Sequence, residues 1–261
     1  MRTHLAHPYL LAPQHKITVH LVGVGGTGSQ VLSALARMHK ALQALGHTGL
    51  HVRAFDPDTV SDANIGRQMY SPADVGLNKA VVSISRINRF FGYNWEAYPQ
   101  FFDAKEHPAN LIITCVDTAA GRLQIGEQIK TSDPNNPITR MLYWLDFGNL
   151  QTTGQVVLGT THGQPKPINK ADAKSMAKVE KASAISLPVV TEMFDLKKIK
   201  EVDQGPSCSL AEALGKQDLF INSTLANLGC NILWKLFRFG KINHHGLYLN
   251  LDTLKCVPIP V

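Results

Sequence analysis

The feature that most constrains this chain is GVGGTGS, residues 23–29, set between two different periodicities. Before it, Ile17 to Val22 (ITVHLV) is an apolar run of strand length. After it, a helical pattern runs from about Ser29 to Leu45 and stops at Gly46 and Gly49. Gly23, Gly25 and Gly28 thus make a G-x-G-x-x-G between a strand and a helix. Glycine permits the tight turn there and lets the backbone approach a phosphate closely. The helix N-terminus supplies N–H groups and the positive end of its dipole. The motif in this setting predicts a nucleotide site and leaves open which nucleotide.

The same alternation continues. LHVRAF (50–55) reads as the next strand and delivers Asp56 to its end, where a carboxylate can accept hydrogen bonds from ribose hydroxyls. Asp58 reads as a loop or capping residue. Helical spacing returns from Asn78 to Phe90, and a weak strand lies near Trp95 to Tyr98. LIITCV (111–116) ends at Asp117, helix follows to about Lys130, and DPNNP (133–137) reads as a turn. Further strands are expected at 141–147 and 155–159, an apolar helix at 218–238 and a closing hairpin at 246–259. Strands alternating with helices predict an α/β fold of the Rossmann-like, doubly wound kind. Its sheet should be mostly parallel, with a C-terminal antiparallel extension. Residues 161–207 are polar, basic and proline-punctuated, and read as an excursion within a single domain over 1–261.

Composition narrows the classes. A 261-residue chain with 44% hydrophobic residues can bury a sizeable core. No apolar run reaches the roughly 20 residues a bilayer needs, and the N-terminus lacks a signal-peptide core, so a cytoplasmic location is expected. The 26 basic against 20 acidic residues favour acidic partners without choosing among them. The four cysteines form no Cys-x-x-Cys pair, which argues against a disulfide framework or a cysteine-only zinc site. Cys115, in a strand, and Cys230, in a helix, read as core, and Cys256 falls in the terminal hairpin. His162, His244 and His245 lack metal-ligand spacing and read as surface or turn residues. Lys170, Lys174 and Lys178, flanked by Lys166 and Lys181, would line one helix face. That segment is either a simply solvated lysine face, a docking face for an acidic partner, or a mobile crossover loop over the site. Aromatic interleaving is missing, so no nucleic-acid surface is expected.

The segment DPDTVSDANIGRQMYSPADVGLNKA (56–80) separates two nucleotide readings. It brings Asn64, Arg67, Gln68 and Lys79 in soon after the ribose acid. Two cations and two amides suit a triphosphate better than a nicotinamide ring, which needs an apolar slot. An NAD-dependent oxidoreductase is the alternative from another class, and a non-catalytic nucleotide-binding scaffold a third.

These residues carry a family resemblance. The string G-x-G-G-x-G-S, D-x-D-x-V, N-x-x-R-Q and G-x-x-K, over Ile17 to Gln124, resembles the ThiF, MoeB and ubiquitin-activating-enzyme superfamily. WLDFGN (144–149), GQVVLG (154–159) and GPSCS (205–209) are most similar to the ThiF-family protein of PRTRC plasmid gene systems, which also encode a small ubiquitin-like protein and a JAB-domain peptidase. The resemblance implies adenylation of the C-terminal carboxylate of a small ubiquitin-like (β-grasp) protein, with ATP and Mg²⁺, by a homodimer. A related activity would act on a carboxylate-bearing tRNA base.

Carried onto this chain, the resemblance gives Gly23, Gly25, Gly26 and Gly28 the ATP loop and Asp56 the ribose. Asn64, Arg67 and Lys79 would hold the phosphates. Asp117 would bind Mg²⁺, with Arg122 five residues on as in relatives. The chain also departs from the pattern. No N-terminal arginine motif precedes the first strand, since Arg2 stands alone. The family's Asp-Asn pair is Asp117-Thr118 here, and the zinc-binding cysteine pairs are absent. Some members pass the acyl group to a cysteine, for which Cys208 is the candidate. It stands just before an expected helix start, where a thiol pKa would be lowered. The apolar 218–238 helix could help build the dimer interface.

Overall fold

The protein is described by a computed structural model over residues 2–105, 108–130, 140–161, 185–199 and 210–261. Its elements are β1 (His4–Leu5), α1 (Pro8–Leu11), β2 (Ile17–Val22), α2 (Gly26–Ala44), β3 (Leu50–Phe55), α3 (Lys79–Phe91), β4 (Glu96–Tyr98), β5 (Leu111–Thr114) and α4 (Ala119–Lys130). They continue with β6 (Tyr143–Asn149), β7 (Thr153–Thr160), α5 (Val190–Met193), α6 (Leu210–Lys216), α7 (Ile221–Phe239), β8 (Lys241–Ile242), β9 (His244–Asn250) and β10 (Lys255–Pro260).

Eight strands form one sheet in the order β10-β9-β7-β6-β5-β2-β3-β4. The five from β4 to β6 pair in parallel. Beyond them β7, β9 and β10 are antiparallel, so the expected mostly parallel sheet with an antiparallel C-terminal extension is the one that forms. β5 is buried at every residue, because helices cover both faces of a parallel sheet. On one face α2 and α7 share a core in which Val31, Leu35 and Leu42 meet Leu225, Leu233 and Leu236. On the other, Ile125 and Ile129 of α4 and Val190 of α5 pack with Phe55 and Trp144. Each such side chain contributes roughly 1.5–3 kcal/mol of burial.

From β2 the chain moves outward to β3 and β4, then returns to the other side of β2 as β5. Strand order therefore reverses between β2 and β5. In open α/β sheets this reversal opens a crevice at the carboxyl ends of the two strands, where ligands bind.

Three features differ from the sequence reading. The helix expected from about Ser29 already begins at Gly26, so two of the motif glycines wind into its first turn. Most apolar residues of α7, expected to help a dimer interface, are instead packed within the chain against α2 and the sheet, while Phe239 at its end is exposed. His245, expected at a surface or turn, is buried in β9, because its ring nitrogen Nδ1 lies 2.9 Å from the Leu158 carbonyl of the neighbouring strand β7.

Of the 161–207 stretch, residues 161 and 185–199 are described. Leu187, Val190 and Leu196 are buried there, where α5 packs on α4 and β7. The lysine series 166–181, His162, Cys208 and the 133–137 turn lie outside the described residues. No described helix is long and apolar enough to cross a membrane.

Candidate nucleotide site

The glycine loop sits at the mouth of this crevice. Gly23 N–H donates to the Phe55 carbonyl at 2.9 Å, and Cys115 N–H donates to Val22 at 2.8 Å, so β3 and β5 flank the turn. Gly23 has φ +87°, and a Cβ there would lie 2.7 Å from the Cys115 carbonyl oxygen. At Gly28 a Cβ would lie 1.9 Å from the Gly23 carbonyl oxygen, so no side chain fits between α2 and the loop. At Gly26 it would lie 2.7 Å from the Asn222 amide nitrogen. Gly25 differs, for nothing lies within 4 Å of its Cβ position. It is the N-cap of α2, with no side-chain cap bond and no acid in the first helical turn. A helix N-terminus left in that state is suited to an anion.

Asp56 is 5% exposed. Its Oδ2 accepts the Val24 N–H at 2.6 Å and its Oδ1 accepts the Asp58 N–H at 2.9 Å. Burial pushes its pKa up, against the pull of those two N–H groups and of Lys79. Tyr70 Oη donates to the Val24 carbonyl at 2.7 Å, so both polar groups of this loop residue are held by side chains. Asp56 therefore shapes the glycine loop whatever else it binds. A carboxylate has acceptor capacity for further donors such as ribose hydroxyls.

Asn78 starts α3. Its Oδ1 accepts the Val81 N–H at 3.0 Å, and its Nδ2 donates to the Asp56 carbonyl at 2.8 Å and the Asp58 carbonyl at 3.0 Å. This fixes Lys79, the first residue of α3, beside the 56–58 loop. Lys79 Nζ lies 2.9 Å from Asp58 Oδ2, and Asp58 is largely exposed. The second acid of D-x-D is thus the partner of the lysine.

Asn64 is buried and closes a 3₁₀ turn, its Oδ1 accepting the Ser61 N–H at 2.9 Å. Arg67 follows and is half-buried. Its Nη1 donates to Gln217 Oε1, while its Nε is buried and has no hydrogen-bond partner among the described residues. Burial draws the Arg67 pKa down, and the charge of Asp117 pulls it up. Asp117 is exposed, just past the end of β5. The buried side-chain oxygen Oε1 of Gln68 also lacks a partner among the described residues.

Thr114, Asp146, Tyr70, Gln217 and Asn222 join the site without being singled out by the sequence. Arg122 is buried: Nε lies 3.1 Å from both oxygens of Asp146, Nη1 donates to Thr118 at 3.1 Å, and Nη2 donates to Phe147 at 2.7 Å. Thr114 Oγ1 completes the group, donating to Asp146 at 2.5 Å. A charged residue inside the apolar run MLYWLDF was a legible signal that Asp146 needs a buried partner. Tyr70, Gln217 and Asn222 gave no such signal.

The resemblance implies Mg²⁺. Among the described residues no group of three or more His, Cys, Asp or Glu gathers to hold a metal. Mg²⁺ commonly takes one or two carboxylates and completes its shell with phosphate oxygens and water. An exposed Asp117 at the strand edge fits an ion that arrives with a nucleotide.

A family model described as the ThiF family matches residues 12–241. The chain belongs to the ThiF family. No curated protein matches it in sequence. The ThiF-family chain is similar in fold to E. coli MccB at 14% identity and TM-score 0.57, an alignment covering 96% of this chain and 63% of MccB. It is similar to PaaA at 16% identity and TM-score 0.55, covering 95% of this chain and 73% of PaaA. It therefore spans somewhat under two thirds of MccB's length. MccB has been crystallised with ATP, a structure to which this chain aligns at 15% identity with a TM-score of 0.53, covering 96% of this chain and 64% of MccB. It has also been crystallised with MccA.

Proposed function

We propose that this chain adenylates a carboxylate with ATP, and that the carboxylate is the C-terminus of a small ubiquitin-like protein. The observation carrying this reading is the convergence at the strand-order reversal: the open α2 N-terminus at Gly25, Lys79 at the start of α3, and Arg67 within electrostatic reach of Asp117. Membership in the ThiF family supports it, as does the fold shared with MccB.

In this reading the Gly23–Gly28 loop receives the phosphates and Asp56 the ribose. Asn64, Arg67 and Lys79 flank the triphosphate, and Asp117 would hold Mg²⁺, which when bound offsets phosphate charge. A substrate carboxylate oxygen attacks the α-phosphorus. The bond from that phosphorus to the bridging oxygen breaks, and its electron pair leaves with pyrophosphate. The carboxylate needs no activation by a base, so the chain contributes positioning and charge neutralisation. Lys79 is already ordered by Asp58, and Arg67 by Gln217. Both cations are thus oriented before substrate arrives, which lowers the reorganisation cost of reaction. A later transfer of the acyl group to Cys208, with AMP leaving, belongs to the same reading, as do a homodimer and a cytoplasmic location.

The test is ATP–pyrophosphate exchange with radiolabelled pyrophosphate and each small β-grasp protein encoded nearby. Label should enter ATP only with one of them, and only while its C-terminal carboxylate is intact. Exchange that survives C-terminal truncation of that protein, or that no β-grasp protein supports, overturns the substrate assignment.

A further inference from the structure

The Arg67 guanidinium does not stand alone. Its Nη1 bonds Gln217 Oε1, and the same oxygen accepts the Asn222 amide at 3.3 Å. Asn222 in turn accepts the Thr27 hydroxyl at 2.8 Å, and its amide nitrogen closes over Gly26. One side-chain oxygen thus joins the arginine on one side of the crevice to the first turn of α2 on the other. Gln217 is itself fixed, since its N–H bonds the Ala213 carbonyl of α6 at 3.0 Å, and the next residue, Asp218, donates to Gln151 at 2.9 Å.

We propose that Gln217 is a positioning residue for Arg67. It fixes the plane of the guanidinium and couples it to the glycine loop through Asn222 and Thr27. The proposal rests on the adenylation reading above, because the ligand it serves is the polyphosphate of ATP. A guanidinium carries five N–H donors in a rigid fork, and a phosphate is best met by two of them together. With Nη1 committed to Gln217, the Nε and Nη2 donors are left as the pair for an anion. Nε is the buried N–H without a partner among the described residues. Leaving a buried donor unpaired is costly, and a phosphate oxygen would remove that cost. A neutral amide suits the task because an acid at 217 would neutralise the charge that Arg67 offers.

There is a consequence for the acceptor end. Gln217 closes the helix that follows Cys208 in sequence, and the start of that helix lies against the arginine loop, Leu210 Cδ2 standing 3.5 Å from the Cβ position of Gly66. α6 therefore meets the arginine loop at both ends, through Leu210 at its start and through Gln217 at its close.

The test is the near-isosteric Gln217→Met, which removes the acceptor and keeps the bulk. ATP and AMP binding are measured by calorimetry for wild type, Q217M, Arg67→Met and the double variant, together with the melting temperature of each. Q217M should weaken ATP about tenfold, the worth of one hydrogen bond to a charged group. AMP should change by less than about twofold, a difference that a general loosening of the fold does not produce. In the R67M background Q217M should have no further effect on ATP. Equal loss of ATP and AMP, an unchanged ATP affinity, or full additivity with R67M overturns the proposal. The melting temperatures separate this from the broader reading. If the wild-type protein binds no ATP, adenylation fails; if the two substitutions are also additive in stability, the contact itself fails independently.

Discussion

The Arg122 guanidinium and the Asp146 carboxylate form a buried ion pair beneath the Asp117 loop, with Nε 3.1 Å from each carboxylate oxygen. Arg122 also holds the Thr118 carbonyl, the residue next to Asp117. The helix α4 and the strand β6 are thereby joined under the residue expected to face Mg²⁺. Burying two charges is costly, and this pair is tolerated because Thr114, Thr118 and Phe147 satisfy the remaining donors and acceptors.

Removing one partner leaves the other charged and buried. Asp146→Ala should therefore destabilise the fold by about 3–5 kcal/mol. Urea denaturation at pH 7 measures it. A loss below about 1 kcal/mol would mean that water reaches the pair. Arg122→Met in the Asp146→Ala background should recover part of the loss, because the stranded cation is then gone.

The glycines divide into two kinds, and substitution tells them apart. Gly28→Ala puts a Cβ 1.9 Å from a backbone oxygen and should destabilise the protein as well as abolish nucleotide binding. Gly25→Ala meets open space around its Cβ, but its backbone stands at φ −76° and ψ −141°, outside the broad regions that alanine prefers. It should cost about 1–3 kcal/mol of backbone strain, without the steric clash of Gly28→Ala, and bind ATP at least about tenfold more weakly, if a phosphate approaches that face as closely as glycine loops allow. Unchanged ATP affinity in Gly25→Ala would move the phosphates elsewhere.

Lys79 and Asp58 invite a similar separation of stability from function. Their ion pair has one largely exposed partner, so it is worth about 0–1 kcal/mol. Lys79→Met should leave the denaturation midpoint nearly unchanged while lowering pyrophosphate exchange by two orders of magnitude or more, roughly the worth of one charged transition-state contact. Asp58→Asn should keep most of the exchange rate, since Asn78 still holds the loop. A Lys79→Met enzyme with full exchange would remove the lysine from the chemistry.

Much of the scaffold could be read in the sequence, because it follows from local pattern. β2 and β3 fall on the residues of ITVHLV and LHVRAF, and the glycine loop lies between β2 and α2. What escaped reading was long-range. Thr27 meets Asn222 across 195 residues of chain, and Arg67 meets Gln217 across 150. A glutamine or asparagine at a helix end has the same local appearance whether it caps, solvates or reaches across a crevice. Asp56 shows the opposite case. Its place at the end of β3 was legible, but its grip on the Val24 N–H depends on how β2 and β3 lie side by side.

Acid should weaken the fold through buried neutral histidines. His39 is buried, its Nδ1 accepts the Leu50 N–H at 2.8 Å, and burial with nearby Lys16 and Lys40 lowers its pKa to about 4. His7 is lowered to about 4 by burial and by Arg140. Both side chains take up protons in the unfolded chain at a higher pH than in the folded one. Stability is then full above about pH 6.5, the unfolded value, and is lost as pH falls from there toward 4. The urea midpoint should drop between pH 7.5 and pH 5, with His39 contributing on the order of 1 kcal/mol. His39→Gln, which retains an acceptor, should flatten that slope. An unchanged slope would show that His39 is protonated in the fold already.

The thiols sort themselves by environment, and this decides where a thioester could form. A nucleophilic cysteine must reach its thiolate near neutral pH. Burial raises the Cys115 pKa well above the ordinary thiol value, with the Asp146 charge adding to it. Burial takes Cys230 to about 12. Neither supplies a thiolate at pH 7, although Cys115 lies against the glycine loop. Cys256 is exposed but sits in the edge strand β10, at the far side of the sheet from the reversal between β2 and β5. Cys208 is the remaining cysteine of the four, and the helix that follows it packs beside the arginine loop. Cys208→Ala should therefore leave ATP–pyrophosphate exchange at the wild-type rate while abolishing any conjugate that a thiol reductant cleaves on a non-reducing gel. Cys256→Ala should lose neither. A reducible conjugate that persists in Cys208→Ala removes Cys208 from the mechanism, and the acyl adenylate is then the end product of this chain.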